Sequence, residues 1–283
     1  MAWVFFAITS VVTDSISNLF RRLLMKDDKS DPYAFAIIFQ FGLALITGLF
    51  AWYKGLILLP PASLLPNMIF LSVLYGFGTL LYFKAAQKID ASEISILMVT
   101  GSVVSVILGV ILLKESFSMY KLLGVSLILL SVFILNFGKQ IKVNSGFFYA
   151  MGAAICYAVA GVNDAFVLRS FPAIAYLPIC SLLPGIFLLI LRPSIYKKAR
   201  EVFKPHNSLW HIVLLCIFYG IQGLMYFIAL EKKAPISLLG PIGKSSIILT
   251  VILATIFLNE RKNLLKKTIS TALVTAGVLF LIS

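Results

Sequence analysis

Tyr75-Gly76-Phe77-Gly78-Thr79-Leu80-Leu81-Tyr82-Phe83-Lys84-Ala85-Ala86-Gln87-Lys88 returns 144 residues later as Tyr219-Gly220-Ile221-Gln222-Gly223-Leu224-Met225-Tyr226-Phe227-Ile228-Ala229-Leu230-Glu231-Lys232. Seven of the fourteen pairs are identical, including both tyrosine pairs. At an offset of 145, Leu113-Lys114-Glu115 meets Leu258-Asn259-Glu260, Asn18 falls on Asn163 and Leu23 on Leu168. A lag of about half the 283 residues implies two equivalent units, 1–140 and 141–283.

What those units are follows from composition. The chain is 60% hydrophobic and 12% charged, with a mean hydropathy of +1.02. A soluble domain carries about 25% charged residues. One globular core cannot hide such an apolar excess, so most of it must face lipid. About 20 apolar residues cross the hydrocarbon as a helix. Ten such segments can be marked, at 2–24, 33–53, 64–87, 92–113, 118–137, 146–168, 173–191, 209–230, 236–258 and 264–282. None alternates like a barrel strand. The expected fold is all-α: a polytopic membrane protein of ten transmembrane helices. The first run lacks a basic leader and a small-residue cleavage site, and is expected to be a retained helix, not a signal peptide.

Five helices per unit is odd, so the second unit enters the membrane from the opposite face. Equivalent joints carry opposite charge bias, as inverted repeats require. The joint after the first helix holds Arg21, Arg22, Lys26 and Lys29, and its counterpart only Arg169. The joint after the second holds Lys54, against five basic residues from Arg192 to Lys204 in its counterpart. Joints after odd-numbered helices hold 17 Lys and Arg, against 6 on the other side. By the positive-inside rule both termini then lie outside.

The net charge of +13 comes from these short clusters. They flank apolar runs and do not form a groove for nucleic-acid phosphates. Cys156, Cys180 and Cys216 lack metal-ligand spacing and read as small buried hydrophobes. No cofactor, metal or catalytic set is expected. There is no nucleotide-binding glycine loop and no histidine–carboxylate cluster in a helix, so the chain does not read as an enzyme.

The chemistry is expected around Gly240-Pro241-Ile242-Gly243-Lys244-Ser245-Ser246, inside an apolar run. A lysine at that depth costs on the order of 3 kcal/mol on insertion scales, and so calls for a partner, a wet cavity or a substrate. Gly240, Pro241 and Gly243 loosen the helix before it and are the expected hinge. Lys244 is the expected anchor for a carboxylate or phosphate; alternatively it is a structural lysine paired with an acid. Asp14 is either its counter-ion, a proton carrier, or a helix-packing residue. Asn18 and its repeat mate Asn163 are expected to line a central cavity. Asp164 either joins them or lies at the interface.

Gln40 and Gln222 either meet substrate or bond helix to helix. Tyr75, Tyr82, Tyr219 and Tyr226 recur at a spacing of seven, each pair on one helix face, and line a pore or pack through neighbouring glycines. Ser245 and Ser246, with Thr100-Gly101-Ser102 as their first-repeat counterpart, could face the cavity. Glu115 and Glu260 end their helices beside Lys114 and Arg261, where local ion pairing is expected.

Ten helices in two five-helix repeats, each with an apolar helix running into Glu (Leu113-Lys114-Glu115 and Leu258-Asn259-Glu260-Arg261), resemble the EamA-type transporters of the drug/metabolite transporter superfamily. The resemblance covers essentially the whole chain. It implies alternating-access transport of small metabolites or drugs between the halves, both termini in the cytoplasm, and a bacterial or archaeal inner membrane. The Gly240-to-Lys244 spacing also resembles the ninth-helix motif of nucleotide-sugar and triose-phosphate transporters. That implies a role for Lys244 in holding an anionic group. Pro241 and Gly243 stand where the nucleotide-sugar motif has Ala and Asn, so the substrate does not carry over.

The leading expectation is a secondary transporter of a small polar or amphipathic metabolite, anionic in one version and coupled to protons or another ion. A cationic drug or amine exporter, using Asp14 or Asp164, is the second. A non-transporting membrane partner or lipid-headgroup flippase subunit is the third. Two halves in one chain let a monomer suffice, with a homodimer as the other option.

Overall fold

The computed structural model describes residues 2–25, 31–56, 59–101, 103–104, 107–108, 118–136, 145–195, 206–232, 243, 246–259 and 264–282. Among them are ten α-helices and no strand. They are α1 (Ala2–Leu24), α2 (Pro32–Tyr53), α3 (Leu65–Lys88), α4 (Ala91–Met98), α5 (Met119–Asn136), α6 (Ser145–Val167), α7 (Ala173–Leu191), α8 (His206–Glu231), α9 (Ser246–Phe257) and α10 (Leu264–Ile282). Six of them, α1–α3 and α6–α8, are long and apolar enough to cross a membrane. The expected span 92–113 is seen as α4, a turn at Val99 and helical backbone at 100–101, 103–104 and 107–108. The expected span 236–258 is seen from α9, with Gly243 helical ahead of it.

Local chemistry sets the ends. Asp31 caps α2, its carboxylate accepting from the amides of Tyr33 and Ala34, with Pro32 in the first turn where no donor is missed. The same helix closes on a Schellman motif. Gly55, at φ 65°, donates to Trp52 and Leu56 donates to Ala51. Beyond α9, Asn259 takes the left-handed conformation at φ 57°, which asparagine tolerates better than most residues. Pro178 and Pro184 lie inside α7, where neighbouring helices make the missing backbone bonds tolerable.

The packing follows the repeat. α1 lies on α8 and α3 on α6, two contacts that a pseudo-twofold exchanges. α2 packs on its mate α7, α4 on α9 and α5 on α10. Direction can be read from side chains. Asn18 meets Tyr82, and Arg22 meets Ala86, so α1 runs parallel to α3. Gly152 lies against Leu81, Gly78 against Tyr157, and Asn67 against Asn163, so α6 runs antiparallel to α3. The first helices of the two repeats are therefore oppositely threaded.

Small residues permit the closest approaches. A Cβ on Gly277 of α10 would stand 2.8 Å from the Gly124 carbonyl of α5, and one on Gly101 would stand 2.9 Å from the Ala154 carbonyl of α6. Helix association in lipid depends on such close packing, because tails are as apolar as leucine.

Polar clamps hold the two ends. Where α1 and α3 end, Asp90 takes Lys267 Nζ at 2.7 Å and Arg22 at 3.6 Å. Arg192 reaches Asp31 at 3.8 Å. At the opposite end, Asn67 bonds Asn163 and Glu231 accepts from the Ala173 amide.

Candidate functional site

Side chains spaced by about one helical turn share a face. On α1 that face carries Ser10, Asp14, Asn18 and Arg21. It looks onto α3, α8 and α9, where the two repeats meet.

Asp14 accepts from Ser246 Oγ at 2.8 Å and from Asn18 Nδ2 at 3.3 Å. Tyr82 donates to Asn18 Oδ1 at 2.7 Å. Gln222 reaches Ser10 Oγ at 3.5 Å, and Ser15 donates to the Ser246 carbonyl at 2.9 Å. Asp14, Asn18, Gln222 and Ser246 thus fall along one seam.

Arg21 closes the seam. Although it lies three residues from the end of α1, its side chain is only 3% exposed. A helical side chain leans toward the N-terminus. This one reaches Tyr219, thirteen residues into α8. Its guanidinium carbon is 4.3 Å from the Tyr219 ring centroid, 4.4 Å from Tyr82 and 5.2 Å from Phe39. Cation–π contact of this kind contributes about 2 kcal/mol when desolvated. Its Nε and Nη2 are buried with no hydrogen-bond partner. Among the described residues no carboxylate pairs with it.

A second buried ionisable side chain lies in the other repeat. Asp164 is 1% exposed and accepts from Tyr176 at 2.6 Å and from the Tyr75 hydroxyl. No basic side chain among the described residues pairs with it. Between the two clusters, Gln40 donates to Thr79 at 2.8 Å, and Thr79 shares a hydrogen bond with Tyr157 at 3.1 Å. Tyr157 in turn packs on Tyr75, 5.8 Å between centroids.

Several expectations change. Arg21 is not a joint residue but an interior one, and Lys267 is buried against Asp90. The larger charge count loses both, and the bias survives. Asn18 and Asn163 are not brought together: their partners Tyr82 and Asn67 are 15 residues apart on α3, about 22 Å along a helix. Inversion sends repeat mates to opposite depths. Asp164 is buried in the protein against Tyr75 and Tyr176, next to the Asn163 that clamps the end of the bundle. Gln40 bonds helix to helix. Gly243 has no described atom within 4 Å of a Cβ position. Gly240, Pro241, Lys244 and Ser245 lie outside the described residues, as do Ser102, Lys114, Glu115, Glu260 and Arg261, so the Lys244–Asp14 pairing lies outside them as well.

Arg21 and Tyr176 escaped the sequence reading. The signal for Arg21 was its register, seven residues after Asp14 and three after Asn18; grouping it with Arg22, Lys26 and Lys29 hid it. Tyr176 carried no comparable signal, since α7 is apolar almost throughout.

Among the described residues no group of His, Cys, Asp and Glu could hold a metal ion. The family model described as EamA-like transporter family matches residues 1–137 and 144–283. A solved structure described as a crystal structure of protein is similar with a TM-score of 0.70 and 16% identity, covering 99% of this chain and 96% of that one. At that identity the likeness shows the fold alone. The search of curated proteins gave no match.

Proposed function

The chain belongs to the EamA-like transporter family, and on that premise we propose that it is a secondary transporter that moves a small polar or amphipathic metabolite through the seam between its repeats. The supporting observation is the α1 stripe of Asp14, Asn18 and Arg21, facing α3 of one repeat and α8 and α9 of the other. Charged and amide side chains are costly within a bilayer and mark substrate or ion paths.

In this reading all ten helices span the membrane, and the units 1–140 and 141–283 move against one another. Asp14 exchanges its bonds to Ser246 and Asn18 for a proton or for substrate. Gln222, Tyr75 and Tyr219 line the path, with Gln40 bracing it. Lys244 adds positive charge, while Gly240, Pro241 and Gly243 supply bending. Contacts that differ between the two open states drive the switch. The membrane is the bacterial or archaeal inner membrane, and one chain suffices.

The test is flux. A metabolite panel screened by thermal shift identifies ligands of the folded protein, and hits are followed into proteoliposomes. Asp14→Asn and Lys244→Ala are expected to slow uptake at least tenfold. Uptake at the wild-type rate by both removes these residues from the mechanism, and no flux of any hit removes the transporter reading.

A second reading, a cationic amine exporter, draws on Asp164. A buried carboxylate beside the rings of Tyr75 and Tyr176 has the composition of an ammonium site. Loss of amine resistance with Asp164→Asn, but not with Lys244→Met, favours it.

A further inference from the structure

The two Arg21 nitrogens without partners, Nε and Nη2, lie on the same edge of the guanidinium, the edge whose parallel N–H bonds match two oxygens of one carboxylate. Rings from α3 and α8 lie against the guanidinium. They offset its charge, and neither tyrosine hydroxyl makes a hydrogen bond to Nε or Nη2. A buried donor left unpaired costs about 1–3 kcal/mol, and more on a charged group. Here two such donors point the same way, at the junction of the repeats.

From this we propose that the Nε–Nη2 edge of Arg21 anchors the carboxylate of the transported substrate, which is a monocarboxylate. The inference rests on the transporter reading and narrows its substrate class. Asp14 on the same face of α1 adds negative charge, so a dianion leaves more uncompensated buried charge there than a monocarboxylate does. A phosphate ester is therefore disfavoured. Tyr82 belongs to one repeat and Tyr219 to the other. The edge is buried, so a carboxylate reaches it only when the groups around it move, and rings from both repeats lie against the same guanidinium, which ties binding to movement between the halves.

The test uses the purified full chain with acetate and benzoate, each beside its neutral amide, and with phenyl phosphate. Thermal shift and titration calorimetry read binding. Wild type is expected to be stabilised by at least one acid and by neither amide, with phenyl phosphate weaker than benzoate. Arg21→Lys keeps the charge but not the paired donors, and is expected to weaken acid binding at least tenfold; Arg21→Gln abolishes it. Equal responses to acids and amides, a preference for phenyl phosphate, or undiminished acid binding by Arg21→Lys overturns the proposal. The ligand series on wild type decides even where a variant does not fold. Flux of other compounds in proteoliposomes without acid-selective binding leaves the transporter standing and the anchor refuted. Arg21-dependent acid binding without flux refutes transport and keeps the site.

Discussion

Tyr75 and Tyr219 occupy the same place in the two repeats, yet Tyr75 donates its hydroxyl to Asp164 while Tyr219 covers the guanidinium of Arg21 at 4.3 Å. The backbone symmetry is kept and the chemistry is not. Offset by 145, Asp164 falls on Leu19, so neither charge has a repeat mate of its own kind. The pseudo-twofold thus presents a carboxylate to one tyrosine and a cation to its equivalent, which gives an otherwise symmetric seam a direction.

The two tyrosines should respond differently to the same substitution. Tyr75→Phe removes a hydrogen bond to a buried carboxyl group and is expected to cost about 1–2 kcal/mol. Tyr219→Phe keeps the ring over Arg21 and is expected to cost under about 0.5 kcal/mol, whereas Tyr219→Leu loses it and costs about 1–2 kcal/mol. Unfolding midpoints in one detergent check the order. Equal losses for both Phe variants contradict the asymmetry.

Glycine substitutions test the packing of the repeats. Gly277→Ala puts a methyl 2.8 Å from the Gly124 carbonyl and 2.9 Å from Ile128 Cγ1, so α5 and α10 must separate. A loss of about 1–3 kcal/mol is expected. Gly161→Ala in α6 meets nothing within 4 Å. The better helix former is expected to leave stability unchanged or raise it by up to about 1 kcal/mol. Melting temperatures of the pair, measured side by side, separate overpacking from general intolerance.

Lys267 is 0% exposed and its ammonium is 2.7 Å from Asp90. Asp90 is itself 24% exposed, so removing its charge is expected to cost about 1.5–3 kcal/mol, as for a hydrogen bond to a charged group, while an apolar replacement of both partners is often near neutral. Asp90→Asn is accordingly expected to destabilise by that amount. Asp90→Asn with Lys267→Met should recover more than half of that loss, the remainder reflecting Arg22, which also contacts Asp90 at 3.6 Å. A double-mutant cycle reads this coupling directly.

How far the sequence speaks depends on which signal each feature leaves. Helix bounds at α7 and α10 fall where apolar runs begin and end, because lipid demands an unbroken run and the flanking charges punctuate it. The repeat is legible in Tyr75–Lys88 because positions such as Gly76 and Gly220, Phe83 and Phe227, and Ala85 and Ala229 are buried in both copies. Asp14 and Asp164 stand out as the acids inside otherwise apolar runs. Arg21 does not, because adjacent basic residues mask an interior one when only composition along the chain is weighed. Depth was the other blind spot. Offset alone paired Asn18 with Asn163, but inversion turns equal sequence positions into opposite ends of the bundle, and only the direction of α6 against α3 reveals that.

That direction has a covalent test. Asn67 and Asn163 bond twice, Nδ2 to Oδ1 at 2.6 Å and Nδ2 to carbonyl at 3.2 Å, across the start of α3 and the end of α6. With Cys156, Cys180 and Cys216 replaced by alanine, Asn67→Cys with Asn163→Cys is expected to cross-link under a short bifunctional maleimide. The pair Asn18→Cys with Asn163→Cys should not, since about 22 Å of α3 separates their partners. Coexpressing 1–140 and 141–283 as separate chains converts the result to a gel shift: a linked pair runs as one band and an unlinked pair as two. Two repeats threaded in the same direction would carry the end of α6 away from the start of α3 and abolish the Asn67 link. The experiment therefore separates inverted from parallel threading without any substrate in hand, and it stands whether or not Arg21 proves to hold an anion.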